Sequence, residues 1–459
     1  MSNSLKFGTS GLRGLSVDLV GPESRRYAAA FVRYLQQQGT VGDVLVGRDL
    51  RTSSPQISAS VIASIAALGA KPVDCGELPT PALALEALRR GAPAIMVTGS
   101  HIPADRNGLK FYLASGEIDK ADEAGILAAL GDAPDSAATA VPEPGALRRY
   151  RERYLGMLPP GALGGWRIGV WEHSSVARDV LIDVLDRYGA EVVALNRSDV
   201  FIPVDTEAVG GDTRTELAGW IHAHQLDALV SADGDGDRPL LVDEVGVLVR
   251  GDTIGMLTAK FLGADSVVTP VTSNSSIEGT GLFRSVVRTR VGSPYVIAAM
   301  SQADGRVVGF EANGGVLLGT DAVVNGASLA ALPTRDALLP LLSVLGAARA
   351  AGQTVGQLVA TLPPRVARSD RLEHVPAERS RALLDQLRRD ASGFFAPQGR
   401  IRTSSEIDGL RFELENGDII HYRPSGNAPE LRCYTEAATA ERADALLAWG
   451  LSAARAVVR

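Results

Sequence analysis

Apolar residues recur along this chain in two rhythms, short unbroken runs and spacings of three to four, and the alternation repeats before it changes. The spacing predicts helices over residues 23–38 and 55–68, flanking an apolar strand at residues 43–47. A stretch rich in Ala, Pro and acids at residues 132–145 closes this first unit. The second runs from a strand at residues 166–171 through a helix at 177–188 to an apolar run ending at Val230, and the third starts near Gly251. The Ala-rich residues 345–351 read as helix. After Pro363-Pro364 the order becomes helix, paired strands at 418–422 and 431–434, and a closing helix over 441–458. Such alternation predicts α/β units, and the changed order predicts an α+β unit at the end. With 459 residues the chain exceeds what one core holds. Four domains are expected, at residues 1–141, 142–248, 249–364 and 365–459. Weak repetition among the first three fits a plan in which each gives one loop to a shared cleft.

The most informative of these loops follows the apolar run at residues 226–230. Asp233, Asp235 and Asp237 alternate with glycine and are followed by Arg238. Three carboxylates so spaced repel one another unless a hard divalent cation such as Mg²⁺ supplies the opposing charge. A solvated acidic turn or a Ca²⁺ loop of the helix-loop-helix kind competes with this reading. The Ca²⁺ loop, however, needs a helix before it, and here a strand precedes. Arg238 beside the acids suggests an anionic substrate, most simply a phosphate.

Ser100 follows the apolar strand at residues 93–97, within Thr98-Gly99-Ser100-His101-Ile102-Pro103. Ligands bind at that edge of an open α/β sheet. A turn at residues 105–110 is expected to bring Lys110 back toward Ser100. No Gly-X-Ser-X-Gly and no Ser-X-X-Lys surrounds Ser100, so a phosphoryl acceptor fits better than an acyl-transfer nucleophile. Taken alone, Ser100 is more simply a turn serine, and His101 is as readily a loop hydrogen-bonder as a base.

Two further loops carry polar groups between apolar strands. Glu311 and Asn313, on the Gly-flanked loop after residues 307–310, suit paired sugar hydroxyls, although a lone loop of this kind is more often an ordinary turn. Residues 423–432, Arg-Pro-Ser-Gly-Asn-Ala-Pro-Glu-Leu-Arg, offer Arg423, Arg432, the Ser425 hydroxyl and backbone N–H groups at Gly426 and Asn427, the components of a phosphate cradle. A hairpin with incidental arginines competes with that reading.

The four loops, in this order, together with the opening Phe7-Gly8-Thr9-Ser10-Gly11-Leu12-Arg13-Gly14, resemble the α-D-phosphohexomutase superfamily, and within it the bacterial phosphomannomutase branch. The resemblance covers essentially the whole chain. It implies three similar α/β domains with mixed sheets and a C-terminal α+β lid domain around a central cleft. It also implies an isomerase in which Ser100 carries a phosphoryl group and Mg²⁺ is bound by Asp233, Asp235, Asp237 and a phosphoserine oxygen. A hexose 1,6-bisphosphate is the implied intermediate and activator. Arg13, His101 and Lys110 act near Ser100; Arg238, Glu311 and Asn313 contact substrate; Arg423, Ser425, Gly426, Asn427 and Arg432 bind phosphate. Mannose 6-phosphate and mannose 1-phosphate are the implied substrates, glucose phosphates the second choice and glucosamine phosphate a third. The chain departs from relatives at Ile102, at Asn427-Ala428, and at Ser293, where some members carry a histidine. The last departure keeps open a phosphosugar-binding protein without turnover.

Composition narrows the partners. A net charge of −7 with no basic run argues against nucleic acid, and every apolar stretch is broken before membrane-spanning length. Cys75 and Cys433 indicate neither a disulfide framework nor zinc. With no secretion signal at the start, a reducing cytoplasm is expected.

Overall fold

The computed structural model describes residues 4–8, 11–40, 42–134, 137–425 and 429–458. They form two compact units, one of residues 1–268 and 292–359, the other of residues 269–291 and 360–459.

The first unit contains three mixed sheets. In the first sheet the strand Asp43–Arg48 runs parallel to Lys71–Glu77 and Ala94–Val97, and Ala94–Val97 pairs antiparallel with Arg106–Leu113. Its central strands are apolar where they are buried, at residues 44–46 and Ala94–Val97, as helices covering both faces require. The helix Ser24–Gln37 buries Tyr27, Phe31, Val32 and Leu35, a three-to-four spacing, in a core with Ile57, Val61, Ile95 and Phe111. The predicted helices at 23–38 and 55–68 are thus found at Ser24–Gln37 and Ser54–Ala67.

The second sheet orders Glu191–Leu195, Arg167–Trp171, Ala228–Ala232 and Pro239–Val242, with the first three parallel and the last antiparallel. In the third sheet, residues 266–268 run parallel to Val307–Phe310, which turns back antiparallel into Val316–Leu318. All three sheets share one device. An inner parallel strand ends, the chain reverses, and the return strand pairs antiparallel with it. The loops at 98–105, 233–238 and 311–315 are these reversals.

The second unit is α+β. Its five-stranded antiparallel sheet has the order Val366–Leu372, Leu431–Ala437, Ile419–Pro424, Leu410–Leu414, Ile401–Ser405. Helices Ala377–Phe395 and Ala440–Val458 contribute Leu383, Leu387, Phe395, Leu446 and Ala454 to its core. A strand, not a helix, follows Pro364. Val366–Leu372 is an edge strand with Arg368, Asp370 and Arg371 among its seven residues, so its apolar signal is weak.

Candidate functional site

The acid loop is built for close approach of its carboxylates. Gly234 has no room for a side chain, since a Cβ would lie 2.9 Å from both the Phe201 ring and the Ser100 carbonyl oxygen. Gly236 has φ +68°, a left-handed conformation that glycine adopts at little cost. Asp233, Asp235 and Asp237 are all buried, and one oxygen from each lies within 4.8 Å of the others.

Cations surround the acids unevenly. Lys110 Nζ donates to Asp235 Oδ2 at 2.6 Å and to Asp237 Oδ2 at 2.7 Å, and Thr80 Oγ1 donates to Asp235 Oδ2 at 2.5 Å. Arg335 donates to Asp237 Oδ2 through Nη2 at 2.8 Å and Nε at 3.1 Å. Burial opposes ionisation of Asp237, but Arg335, Lys110 and Arg238 outweigh it and hold the carboxyl well below the usual carboxylate range. Asp233 fares the opposite way. Burial, then repulsion from Asp235 and Asp237, pushes it well above that range. Its Oδ1 accepts the backbone N–H groups of Asp237 and Arg238, both at 3.1 Å. Buried Asp235 Oδ1 and Asp237 Oδ1 have no hydrogen-bond partner among the described residues. Orphaned buried carboxylate oxygens are costly, and hard oxygen donors at this separation fit a Mg²⁺ ion.

Ser100 meets this cluster directly. Its Oγ donates to Asp233 Oδ2 at 2.5 Å and lies 3.2 Å from His101 Nδ1. The residue has φ +54°, strained for serine, and the Thr98 hydroxyl accepts its amide at 2.8 Å. Burial, then Arg238 and Arg13, lowers the His101 pKa far below its ordinary value. Half-buried Arg13, on the strand Leu12–Leu15, is lowered to about 10 by burial and by Arg238 and Arg335.

Lys110 lies within the strand Arg106–Leu113, opposite Met96, rather than in a turn. Its ammonium grips Asp235 and Asp237, in the same acid cluster that Ser100 meets through Asp233. Arg238 stands 3.6 Å from Asp237 Oδ1 and 3.8 Å from Asp205. Glu311 Oε2 accepts from Arg335 Nη1 at 2.7 Å and faces Asn313 Nδ2 at 3.5 Å. The Asn313 amide oxygen is used within its own loop, accepting the Gly315 N–H at 3.0 Å. Ser293 Oγ donates to Glu117 Oε2 at 2.7 Å, and Thr334 donates to the other Glu117 oxygen at 2.7 Å.

Arg51, Asp49 and Arg335 are among the contributors that escaped the sequence reading. Arg51 is buried, stacks 4.0 Å over the Phe201 ring, and donates to the carbonyls of Ser100, Ile102, Pro103 and Arg106 at 2.6–2.9 Å. Asp49 accepts from the Thr98 and Ser54 hydroxyls at 2.7 and 2.5 Å. The available signal was position, because Asp49 and Arg51 stand just past the parallel strand Asp43–Arg48. Arg335 likewise sits near the end of Leu332–Asp336.

In the second unit, Arg423 and Arg432 are directly opposite each other on antiparallel strands, and Arg371 is opposite Arg432 on the next. Three guanidiniums in one cross-strand row are unfavourable without anions. Asp408 accepts from Arg423 Nε at 2.6 Å, and Glu430 lies 3.4 Å from Arg371 and 3.8 Å from Arg432. The Ser425 amide donates to the Glu430 carbonyl at 2.9 Å. Gly426 and Asn427, like Thr9 and Ser10 of the opening motif, lie outside the described residues.

Comparison with known proteins gives the family. Models of the phosphoglucomutase/phosphomannomutase family match residues 4–134 (alpha/beta/alpha domain I), 250–366 (alpha/beta/alpha domain III) and 365–448 (C-terminal domain). A phosphomannomutase of Sinorhizobium fredii is 51% identical, covering 97% of this chain and 98% of that protein. The chain belongs to the phosphoglucomutase/phosphomannomutase family. A phosphomannomutase of Salmonella muenchen is 43% identical over 96% of this chain and 94% of that protein. A solved structure of a phosphoglucomutase/phosphomannomutase family protein from Burkholderia thailandensis covers 98% of both chains, with TM-score 0.79 and 22% identity, and shares the fold.

Arg51→Ala leaves four carbonyls, of Ser100, Ile102, Pro103 and Arg106, without their donor. It is expected to destabilise the first unit by about 3 kcal/mol or more, read by urea denaturation; a loss below about 0.5 kcal/mol would show that the loop needs no such clamp.

Proposed function

We propose that the protein interconverts mannose 6-phosphate and mannose 1-phosphate, passing a phosphoryl group through Ser100 and a hexose 1,6-bisphosphate. One observation carries this reading: the Ser100 hydroxyl, on a left-handed backbone, points at a buried acid cluster with two unpartnered oxygens. A binding protein needs no such hydroxyl. The choice of mannose rests on the two phosphomannomutase relatives.

Asp233, Asp235, Asp237 and a phosphoserine oxygen would hold Mg²⁺, which supplies positive charge to the phosphoryl oxygens and the leaving group. The residues do the rest. A sugar hydroxyl oxygen attacks phosphorus on phosphorylated Ser100; the bond from phosphorus to Oγ breaks, and its electron pair stays on Oγ. The hydroxyl gives up a proton and Oγ gains one, with His101 beside it to relay the proton. Lys110, Arg13 and Arg238 offset the charge on the transferring group. Glu311 and Asn313 receive sugar hydroxyls, while Arg423, Ser425, Gly426, Asn427 and Arg432 bind the phosphate that is not reacting. The bisphosphate then presents its other phosphate to Ser100.

Two unpaired, buried thiols, Cys75 and Cys433, support a reducing cytoplasm. Among the described residues no helix is long and apolar enough to cross a membrane.

Intact-protein mass is expected to show one added phosphoryl group in part of the wild-type population and none in Ser100→Ala. That variant should lose mutase activity, and near-wild-type turnover would overturn the mechanism. Arg432→Ala removes a charge-assisted phosphate contact worth about 1.5–3 kcal/mol. Its kcat/KM should fall at least about tenfold on mannose and glucose phosphates alike. A loss confined to one sugar would show that the residue reads the sugar and not the phosphate.

A further inference from the structure

We propose that Arg335 is a positioning residue that couples the sugar loop to the metal loop by dividing one positive charge between Glu311 and Asp237. The inference rests on the reading of Asp237 as a cation ligand and Glu311 as a sugar acceptor. Its own basis is geometric. One guanidinium spans the two carboxylates, with Nη1 2.7 Å from Glu311 Oε2 and Nη2 2.8 Å from Asp237 Oδ2. All three side chains are buried, so little water intervenes to screen them.

The neighbouring loop is shaped to admit this arm. A Cβ at Gly315 would lie 2.7–2.9 Å from Arg335 Cβ, Cγ and Cδ, so glycine there is what lets the stem pass. The sugar loop therefore supplies both the partner, Glu311, and the gap, Gly315. Among the described residues Arg335 donates to Oδ2 of Asp237, and Oδ1, 3.6 Å from Arg238 Nε, is the oxygen without a hydrogen-bond partner.

Sharing fixes the sign of the coupling. When Glu311 loses its charge, the guanidinium concentrates on Asp237 and competes harder with a cation for that carboxylate. A change on the sugar loop is thereby felt at the metal, although Glu311 is not among the proposed ligands.

The test is Mg²⁺ binding by calorimetry to the whole protein, with unfolding followed in parallel. Glu311→Gln is expected to weaken Mg²⁺ binding about fivefold in the wild-type background, the lower end of typical coupling between sites. In an Arg335→Met background the same substitution should change it less than about twofold. If Arg335→Met does not fold, Arg335→Lys serves, because an ammonium lacks the separate Nη1 and Nη2 donors with which the guanidinium holds Glu311 and Asp237. Gly315→Ala should likewise remove the Glu311→Gln effect by displacing the Arg335 stem. An equal effect of Glu311→Gln with Arg335 or its replacements overturns the coupling while leaving the metal site standing. Failure of the wild-type protein to bind Mg²⁺ overturns the functional reading and the coupling together.

Discussion

Three carboxylates in a six-residue loop, out of water, cannot all be ionised without nearby positive charge, and the first unit is arranged around that requirement. Lys110 and Arg335 take one side of Asp235 and Asp237; Ser100 takes the remaining oxygen of Asp233. What is left over points to the chemistry. The oxygens not used by protein donors are on the acids, and the hydroxyl best placed to bear a phosphoryl group is against them.

The backbone plan explains how separate stretches of sequence deliver these groups. Each sheet of the first unit converts an inner parallel strand into an antiparallel return, and the reversal exposes a short loop at the strand's carboxyl end. Loops of this kind are anchored at both ends by ladder hydrogen bonds, so their side chains are held with little freedom. Arg51 extends that anchoring into the Ser100 loop by tying down three of its carbonyls and that of Arg106 where the next strand begins. The strained φ of Ser100 persists because the surroundings leave it no alternative.

Much of this was legible in the residues themselves. Asp-Gly-Asp-Gly-Asp after an apolar run announces a strand end and a carboxylate cluster able to hold a cation, and the structure joins Ala228–Ala232 to Pro239–Val242 through that loop. Lys110 was expected to come back near Ser100, and its hold on Asp235 and Asp237 was not foreseen, because strand pairing fixes its direction at a distance no local pattern encodes. Arg51 and Arg335 stayed hidden for the same reason. Each is an ordinary arginine in sequence, and its partners lie 49–55 and 24–98 residues away. The edge strand Val366–Leu372 was missed because exposure permits charged residues where alternation would otherwise appear.

The central claim is that this acid loop is a cation site and not a self-satisfied salt-bridge cluster. Titration of the wild-type protein with Mn²⁺, followed by loss of the free-ion electron paramagnetic resonance signal and by Mg²⁺ competition, tests it most directly. The account predicts one displaceable ion per chain and an affinity at least about tenfold lower in Asp235→Asn, since hard-cation affinity follows carboxylate charge. No bound ion, or equal affinity in Asp235→Asn, would contradict it.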